Sequence, residues 1–287
     1  MRQDPVRTQL TIAQALEQAS RRLRDQMQPR LEAEVLLAHV LGKARSHLHA
    51  WPESLLDADQ YRRFDRLVDQ RVQGQPVAYL TGRREFWSLD LEVTAATLIP
   101  RPETELLVEQ TLALVPAGAR SVIADLGTGS GAIALALAHE RPGWQLIASD
   151  RSADCLAVAA ANRSRFALPN LLLVRGDWCE PLADDSLDAL VSNPPYIPCQ
   201  DPHLRQGDVA REPRAALSAG DDGLDAIRTL VATAPRVLKP GAWILLEHGL
   251  DQGEAVRNLM KDGAFTEIST IRDLAGLERV TRARAAL

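Results

Sequence analysis

Ile123-Ala124-Asp125-Leu126-Gly127-Thr128-Gly129-Ser130-Gly131 is the stretch whose reading decides the fold. An apolar run suited to a buried strand passes into glycines at every second position. An alanine- and leucine-rich segment with helical character then follows over 131–140. In such a strand-to-helix turn, glycines allow tight dihedrals and let a ligand approach the main chain. The free amides at the helix N-terminus then face that ligand. Asp150 closes the next predicted strand about twenty residues on, where a carboxylate can accept hydrogen bonds from both hydroxyls of a ribose.

Outward from this turn, strand and helix alternate. Strands are predicted at 121–126, 145–149, 171–174, 187–192, 242–247, 264–270 and 278–284, and helices at 131–140, 152–165, 223–236 and 251–261. That alternation predicts an α/β fold, a mostly parallel seven-stranded sheet with helices on both faces. The final two strands have no helix between them, so the last is expected to run antiparallel. Upstream, residues from about 8 to 74 read as helices. Ile12, Ala15, Leu16, Ala19 and Leu23 form one apolar stripe. Leu31–Leu41 is a more buried helix ended by Gly42, and Asp57 caps a third that runs to Gln73 and stops at Gly74. Between the two regions, Phe86, Trp87, Leu89, Leu91 and Val93 suggest a linking hairpin. Pro102 then starts a helix through Leu106, Leu107 and Leu114. The expected organisation is a small helical bundle over 1–82, a hairpin over 83–99 and the α/β domain over 100–287.

The chain has 287 residues, 46% hydrophobic and 25% charged, with a net charge of −5. That balance argues against gripping long nucleic acid by phosphate neutralisation, so no stable nucleic-acid binding is expected. Basic residues do gather in the helical region, at Arg21, Arg22 and Arg24 and at Arg62, Arg63 and Arg66. Cys155, Cys179 and Cys199 form no C-x-x-C pair and suit a reducing compartment. Met1-Arg2-Gln3-Asp4-Pro5 lacks the apolar core of a signal peptide, and no apolar run is long enough to span a bilayer. These features predict a cytoplasmic protein, a monomer, with no membrane association. His47 and His49 have metal-pair spacing but no further ligand nearby, so no metal is expected.

The glycine turn admits two ligand readings. Gly127-x-Gly129-x-x-Ala132 satisfies a relaxed dinucleotide fingerprint. Asp-x-Gly-x-Gly-x-Gly over 125–131 resembles the cofactor loop of class I methyltransferases, with Asp125 placed to accept from an ammonium group. A P-loop is excluded because the Gly42-Lys43 pair runs into Ala44, and a nucleophile elbow because Thr128 and Ala132 flank Ser130 where glycines are needed. Arg175-Gly176-Asp177-Trp178 follows the third strand of the α/β region, where Asp177 can accept an exocyclic amine and Trp178 can cover a ring.

Ser192-Asn193-Pro194-Pro195-Tyr196, at the end of the fourth strand, carries the chemistry most directly. The two prolines remove two backbone donors and fix two φ angles. The Asn193 side-chain carbonyl and the Pro194 backbone carbonyl can then hold both hydrogens of one planar –NH2 group, with Tyr196 stacked on its plane. An amide nitrogen is a poor nucleophile, and two acceptors orient it and favour the positive charge it gains on attack.

Asn-Pro-Pro-Tyr within this fold is similar to enzymes that methylate amino groups of adenine or guanine and glutamine amides. The flanking segments choose among these. Glu85-Phe86-Trp87-Ser88-Leu89, Leu98-Ile99-Pro100-Arg101-Pro102-Glu103-Thr104-Glu105, Glu212-Pro213-Arg214-Ala215-Ala216-Leu217 and Glu247-His248-Gly249 resemble the PrmC/HemK family. That resemblance spans essentially the whole chain. It implies a class I, Rossmann-like S-adenosylmethionine-dependent methyltransferase that modifies the Gly-Gly-Gln glutamine of class I peptide chain release factors, supporting translation termination. It implies that Gly127, Thr128, Gly129, Ser130, Gly131, Asp150, Trp178 and Asn193 contact the cofactor. Asn193, Pro194, Pro195 and Tyr196 would hold the glutamine, and the helical region would dock the release factor. Arg101 and Glu103 are placed to shape the cofactor mouth, and His248 to form a local hydrogen bond. The alternatives are a nucleic-acid amino-group methyltransferase that stacks a flipped base on Tyr196, and a dehydrogenase-like or catalytically silent cofactor-binding module.

Overall fold

A computed structural model describes residues 10–118 and 120–287; the reading of Met1–Pro5 lies outside them. The chain divides into two compact units, Met1–Gly82 and Arg83–Leu287.

The first unit is helical: α1 (Ile12–Arg22), α2 (Pro29–Leu41), α3 (Arg45–Ala50), α4 (Ala58–Val72) and α5 (Val77–Thr81). Thr11 and Gln14 form a capping box on α1, and Asp57 and Gln60 form another on α4, each satisfying amides the helix leaves without partners. Gly42 closes α2 at φ 61°. The predicted stripe of α1 is buried with Leu36, Leu37, Phe64 and Val68. Glu34, 4% exposed, is held by Arg30 and Arg45, with His49 beside it. Sequence patterning missed α3 and α5, which are short and lack a side-chain N-cap.

The second unit opens with a hairpin, β1 (Arg83–Phe86) and β2 (Leu89–Glu92), whose two-residue turn puts Trp87 and Ser88 at φ 51° and 59°. A 3₁₀ turn, Pro102–Thr104, leads into α6 (Glu105–Leu114). Then come β3 (Val122–Leu126), α7 (Ala132–Glu140), β4 (Gln145–Asp150), α8 (Ala153–Phe166), β5 (Leu171–Arg175) and β6 (Leu187–Ser192). The unit ends with α9 (Asp225–Val237), β7 (Leu238–Glu247), α10 (Gly253–Asp262), β8 (Thr266–Arg272) and β9 (Glu278–Arg284).

Seven of these strands form one sheet in the order β5-β4-β3-β6-β7-β9-β8. The five on the β5 side are parallel, and β9, inserted between β7 and β8, is antiparallel to both, as expected for the last strand. Alternation along each strand feeds two cores. On β6, Ala189 and Val191 pack with Leu107 and Leu135 on one face, while Leu190 packs with Ile227, Leu230 and Val256 on the other. Each fully buried Leu or Ile contributes about 1.5–3 kcal/mol.

The expected start of the strand at 242 is corrected by the structure. Pro240-Gly241 reads as a strand breaker, yet β7 begins at Leu238. Leu238 pairs with Leu187 before the register shifts, and Gly241 takes φ 73° there. Likewise Pro102 opens a 3₁₀ turn, and the α-helix proper starts at Glu105. Among the described residues no helix is long and apolar enough to cross a membrane.

Candidate active site

The C-terminal ends of β3, β4, β5 and β6 are where an open parallel sheet binds ligands, and the predicted motifs converge there. Gly127, Gly129 and Gly131 take φ values of 74°, 57° and 87°, a left-handed region that side chains disfavour. The amides of Gly127 and Thr128 donate to the Ser149 carbonyl at 2.9 and 3.0 Å, folding the loop back over β4. A Cβ on Gly129 would meet nothing within 4 Å, so the loop backbone borders open space there.

Asp150 braces the loop from the opposite side. One carboxylate oxygen accepts from the Gly129 amide at 3.0 Å and the other from the Ser152 amide at 2.9 Å. Ser152 in turn caps α8. Trp178, at φ 44°, sets its ring against Gly127. Gly127, Gly129, Asp150, Asp177, Trp178 and Asn193 all border one cavity of about 390 Å³, within the range of about 300–1,000 Å³ typical for small-molecule sites. Asp125, expected to accept from an ammonium group, and Thr128, Ser130 and Gly131 are not among its lining residues; Asp125 is fully buried and holds the Thr128 hydroxyl and the Ala134 amide. Thr128 and Ser130 are buried beneath the loop, and a Cβ on Gly131 would press on Leu135 and Ala159.

A second cavity of about 190 Å³ is lined by Arg101, Asn193, Pro194, Pro195, Tyr196 and neighbouring apolar side chains. Asn193 and Pro195 border both cavities. Arg101 and the Ile99 amide both bind the Glu212 carboxylate, joining two of the flanking segments beside this opening. The Asn193 amide nitrogen donates to the Thr104 hydroxyl at 3.0 Å. Among the described residues no recorded hydrogen bond ends on the Asn193 side-chain oxygen or the Pro194 carbonyl. The Tyr196 carbonyl is already held by Gln252 at 2.9 Å, and a Cβ on Gly223 would lie 2.2 Å from it. Sequence reading missed Gln252, Thr104 as a partner of Asn193, and Asn162. Fully buried Asn162 accepts from the Glu92 amide and donates to the Ser130 carbonyl, tying the hairpin to the glycine loop.

Both ring nitrogens of buried His248 are engaged, by the Gly249 carbonyl and the Thr281 hydroxyl at 2.8 Å, and burial lowers its pKa. His49 sits against Glu34, and His47 lies on Trp51 with ring centroids 4.7 Å apart.

Two buried carboxyls dominate the electrostatics. Burial pushes Asp125 up to about 7, although one oxygen accepts from the Thr128 hydroxyl at 2.6 Å and the Ala134 amide at 3.2 Å. Among the described residues its other oxygen has no hydrogen-bond partner. Burial also pushes Glu247 up to about 7 against the opposing pull of Thr104, Arg279 and Tyr196. A carboxyl whose pKa rises on folding stabilises the native state below its unfolded pKa. That stabilisation is lost as pH rises through the folded pKa. The ordinary values here are 3.8 and 4.5, so the window runs from about 4 to about 7. The full-length ligand-free protein is therefore expected to melt at a higher temperature at pH 5.5 than at pH 8. Each group contributes on the order of 3 kcal/mol. Asp222 works the other way, held down to about 2 by Arg228, so its effect appears only at strongly acidic pH. Calorimetry across this range should show a flatter slope for Asp125→Asn; an identical slope would mean that Asp125 does not carry the effect.

Residues 14–82 match the PrmC N-terminal domain and residues 102–207 the methyltransferase small domain. The chain is 52% identical to the release factor glutamine methyltransferase of Pseudomonas aeruginosa, covering 90% of this chain and 94% of that protein. The chain belongs to the release factor glutamine methyltransferase family. Another member, from Salmonella typhimurium, is 47% identical over 94% of this chain and 97% of its own length. A methyltransferase from Pyrococcus furiosus shares the fold, with a TM-score of 0.54 at 15% identity, over 76% of this chain and 98% of that chain. The strand order with its antiparallel β9 is therefore that of a Rossmann-like methyltransferase domain. The residues around the larger cavity fit S-adenosylmethionine, the cofactor of this family. They offer a carboxylate with spare lone pairs at Asp150, bare backbone at Gly129 and an indole face at Trp178.

Proposed function

We propose that this chain transfers a methyl group from S-adenosylmethionine to the side-chain amide nitrogen of the glutamine in the Gly-Gly-Gln motif of class I peptide chain release factors. The observation that carries this reading is the meeting of two cavities at Asn193 and Pro195. The larger suits a nucleoside-sized cofactor and the smaller a slender side chain.

When bound, S-adenosylmethionine supplies an electrophilic methyl on a sulfonium, so the protein's task is positioning. Asp150 and Gly129 hold the ribose end, while Asp177 and Trp178 take the adenine. Gly127 and Gly129 form the floor, while Asp125, Thr128, Ser130 and Gly131 shape the loop from below. At the junction, the Asn193 side-chain oxygen and the Pro194 carbonyl accept the two amide hydrogens. Pro195 keeps the segment rigid, and the Tyr196 ring lies along the amide plane. The two acceptors favour the positive charge that builds on nitrogen as it attacks, and a proton leaves afterwards to water.

The helical unit is read as the docking element for the release factor. Arg21 and Arg22 are engaged by Glu17, Asp65 and Asp69, and Arg62 by Asp59, while Arg63 and Arg66 are exposed. Arg63→Ala combined with Arg66→Ala is expected to lower kcat/KM on the whole release factor about threefold at low salt and less at high salt. Turnover of a short Gly-Gly-Gln peptide should be unaltered. Equal loss on both substrates would remove docking from these arginines. The reading takes the chain as a cytoplasmic monomer without stable nucleic-acid binding.

The deciding experiment is mass spectrometry of a purified release factor incubated with the protein and S-adenosylmethionine. One added methyl on the Gly-Gly-Gln glutamine is expected. An unmodified release factor beside a methylated DNA or RNA control would transfer the Asn-Pro-Pro-Tyr chemistry to nucleic acid.

A further inference from the structure

We propose that Thr104 and Glu247 are positioning residues for methyl transfer, Thr104 fixing which end of the Asn193 carboxamide is presented to the amide being methylated and Glu247 fixing the Tyr196 ring beside it. The inference rests on the function proposed above and names two groups that act through Asn193 and Tyr196 rather than on substrate.

An asparagine carboxamide has two ends of nearly equal shape and opposite hydrogen-bonding character. Flipped, Asn193 would offer donors to the two hydrogens of the target nitrogen and repel them. The structure sets the polarity. The Asn193 nitrogen donates to the Thr104 hydroxyl oxygen at 3.0 Å, which leaves Oδ1 as the remaining end. Thr104 is 4% exposed, and its hydroxyl, which receives the Asn193 nitrogen, also faces the Glu247 carboxylate. Tyr196 donates its hydroxyl to Oε1 of the same carboxylate at 3.2 Å. Thr104 thus holds Asn193, and Glu247 beside it holds Tyr196, the two side chains of the Asn-Pro-Pro-Tyr segment that can rotate.

The cost of this arrangement is visible. Glu247 is 1% exposed, and among the described residues its second oxygen has no hydrogen-bond partner. A buried, half-satisfied carboxylate is expensive, and its apolar replacement would pack more favourably. The groups also come from three separate places: the turn before α6, the segment after β6 and the end of β7. Charged neighbours are Arg279 from β9, Glu103 from the turn and Arg101 near Tyr196. The adjacent His248 has its ring tied to Gly249 and Thr281. Protonated Glu247 can donate, so the order it imposes weakens as pH falls below about 7.

The test compares wild type, Thr104→Val, Thr104→Ser and Glu247→Gln as full-length chains, with a purified release factor as substrate. Thr104→Val keeps the shape of threonine and removes its hydroxyl. It should lower kcat about tenfold to a hundredfold, with S-adenosylmethionine affinity, read by calorimetry, changed less than about twofold. Thr104→Ser should restore kcat to within about threefold of wild type. The wild-type kcat should decline below about pH 7, and that decline should be absent in Glu247→Gln. Unchanged kcat in Thr104→Val, or a serine variant no better than valine, would overturn the positioning role while leaving the function intact. Absence of methyl transfer by the wild-type chain would overturn both.

Discussion

Asn193→Ala is expected to lower kcat by roughly two to three orders of magnitude, the usual loss when one preorganised group aimed at developing charge is removed. The substitution takes away the side-chain oxygen at the junction of the two cavities and leaves the Pro194 carbonyl as a lone acceptor. A target amide can then rotate about its remaining hydrogen bond, and its nitrogen is no longer held toward the methyl. Structural damage should be small. Asn193 is only half-buried, and its side chain is tied to Thr104, so the melting midpoint should fall by no more than corresponds to about 1 kcal/mol. Cofactor affinity, measured by calorimetry, should change much less than kcat. Near-normal turnover would dismiss the two-acceptor mechanism outright. A large loss of affinity with intact kcat would reassign Asn193 to the cofactor alone.

Asp150→Ala should produce the opposite pattern. Its carboxylate receives the amides of Gly129 and Ser152, and charge-assisted bonds of this type are each worth about 1.5–3 kcal/mol. Each oxygen still has lone pairs for a diol, so one side chain both shapes the loop and offers a ligand contact. Without it, the Gly129 amide loses its partner and the loop loses its brace against α8. The dissociation constant for S-adenosylmethionine is expected to rise about a hundredfold. At saturating cofactor, kcat should stay within about tenfold of wild type. An unchanged dissociation constant would remove Asp150 from the site.

What the sequence made legible here has a physical pattern. The glycine turn, Asp150 and Asn193–Tyr196 are local signals: positive φ, proline geometry and strand ends leave marks within a few residues. The alternation of strands and helices is legible for the same reason, because a buried parallel strand must be apolar on both faces. The support for the site is different. Asn162 reaches Glu92 across 70 positions, Gln252 reaches Tyr196 across 56, and Asn193 reaches Thr104 across 89. A polar residue serving a distant backbone group looks like any other polar residue in its own neighbourhood. Helices α3 and α5 escaped for a related reason, being single turns that tertiary contacts sustain without caps or a long stripe. Only the resemblance to a family pointed at Glu85–Leu89, Leu98–Glu105 and Glu212–Leu217. Their geometry, with Glu105 accepting from the Trp87 amide and Glu212 from Ile99 and Arg101, explains why those segments accompany the site.

The place of β9 in the sheet has a consequence for biosynthesis. Strand β9 follows β8 in the chain yet is an interior strand, flanked by β7 and β8. While the chain emerges from the ribosome, β7 therefore keeps a bare edge and β8 has no neighbour until β9 leaves the exit tunnel. An open edge of this kind invites pairing with other nascent chains. The helical unit, which precedes the sheet in the chain, is free of that delay. Messages truncated before the β9 codons should accordingly yield aggregated or degraded protein rather than a shortened enzyme.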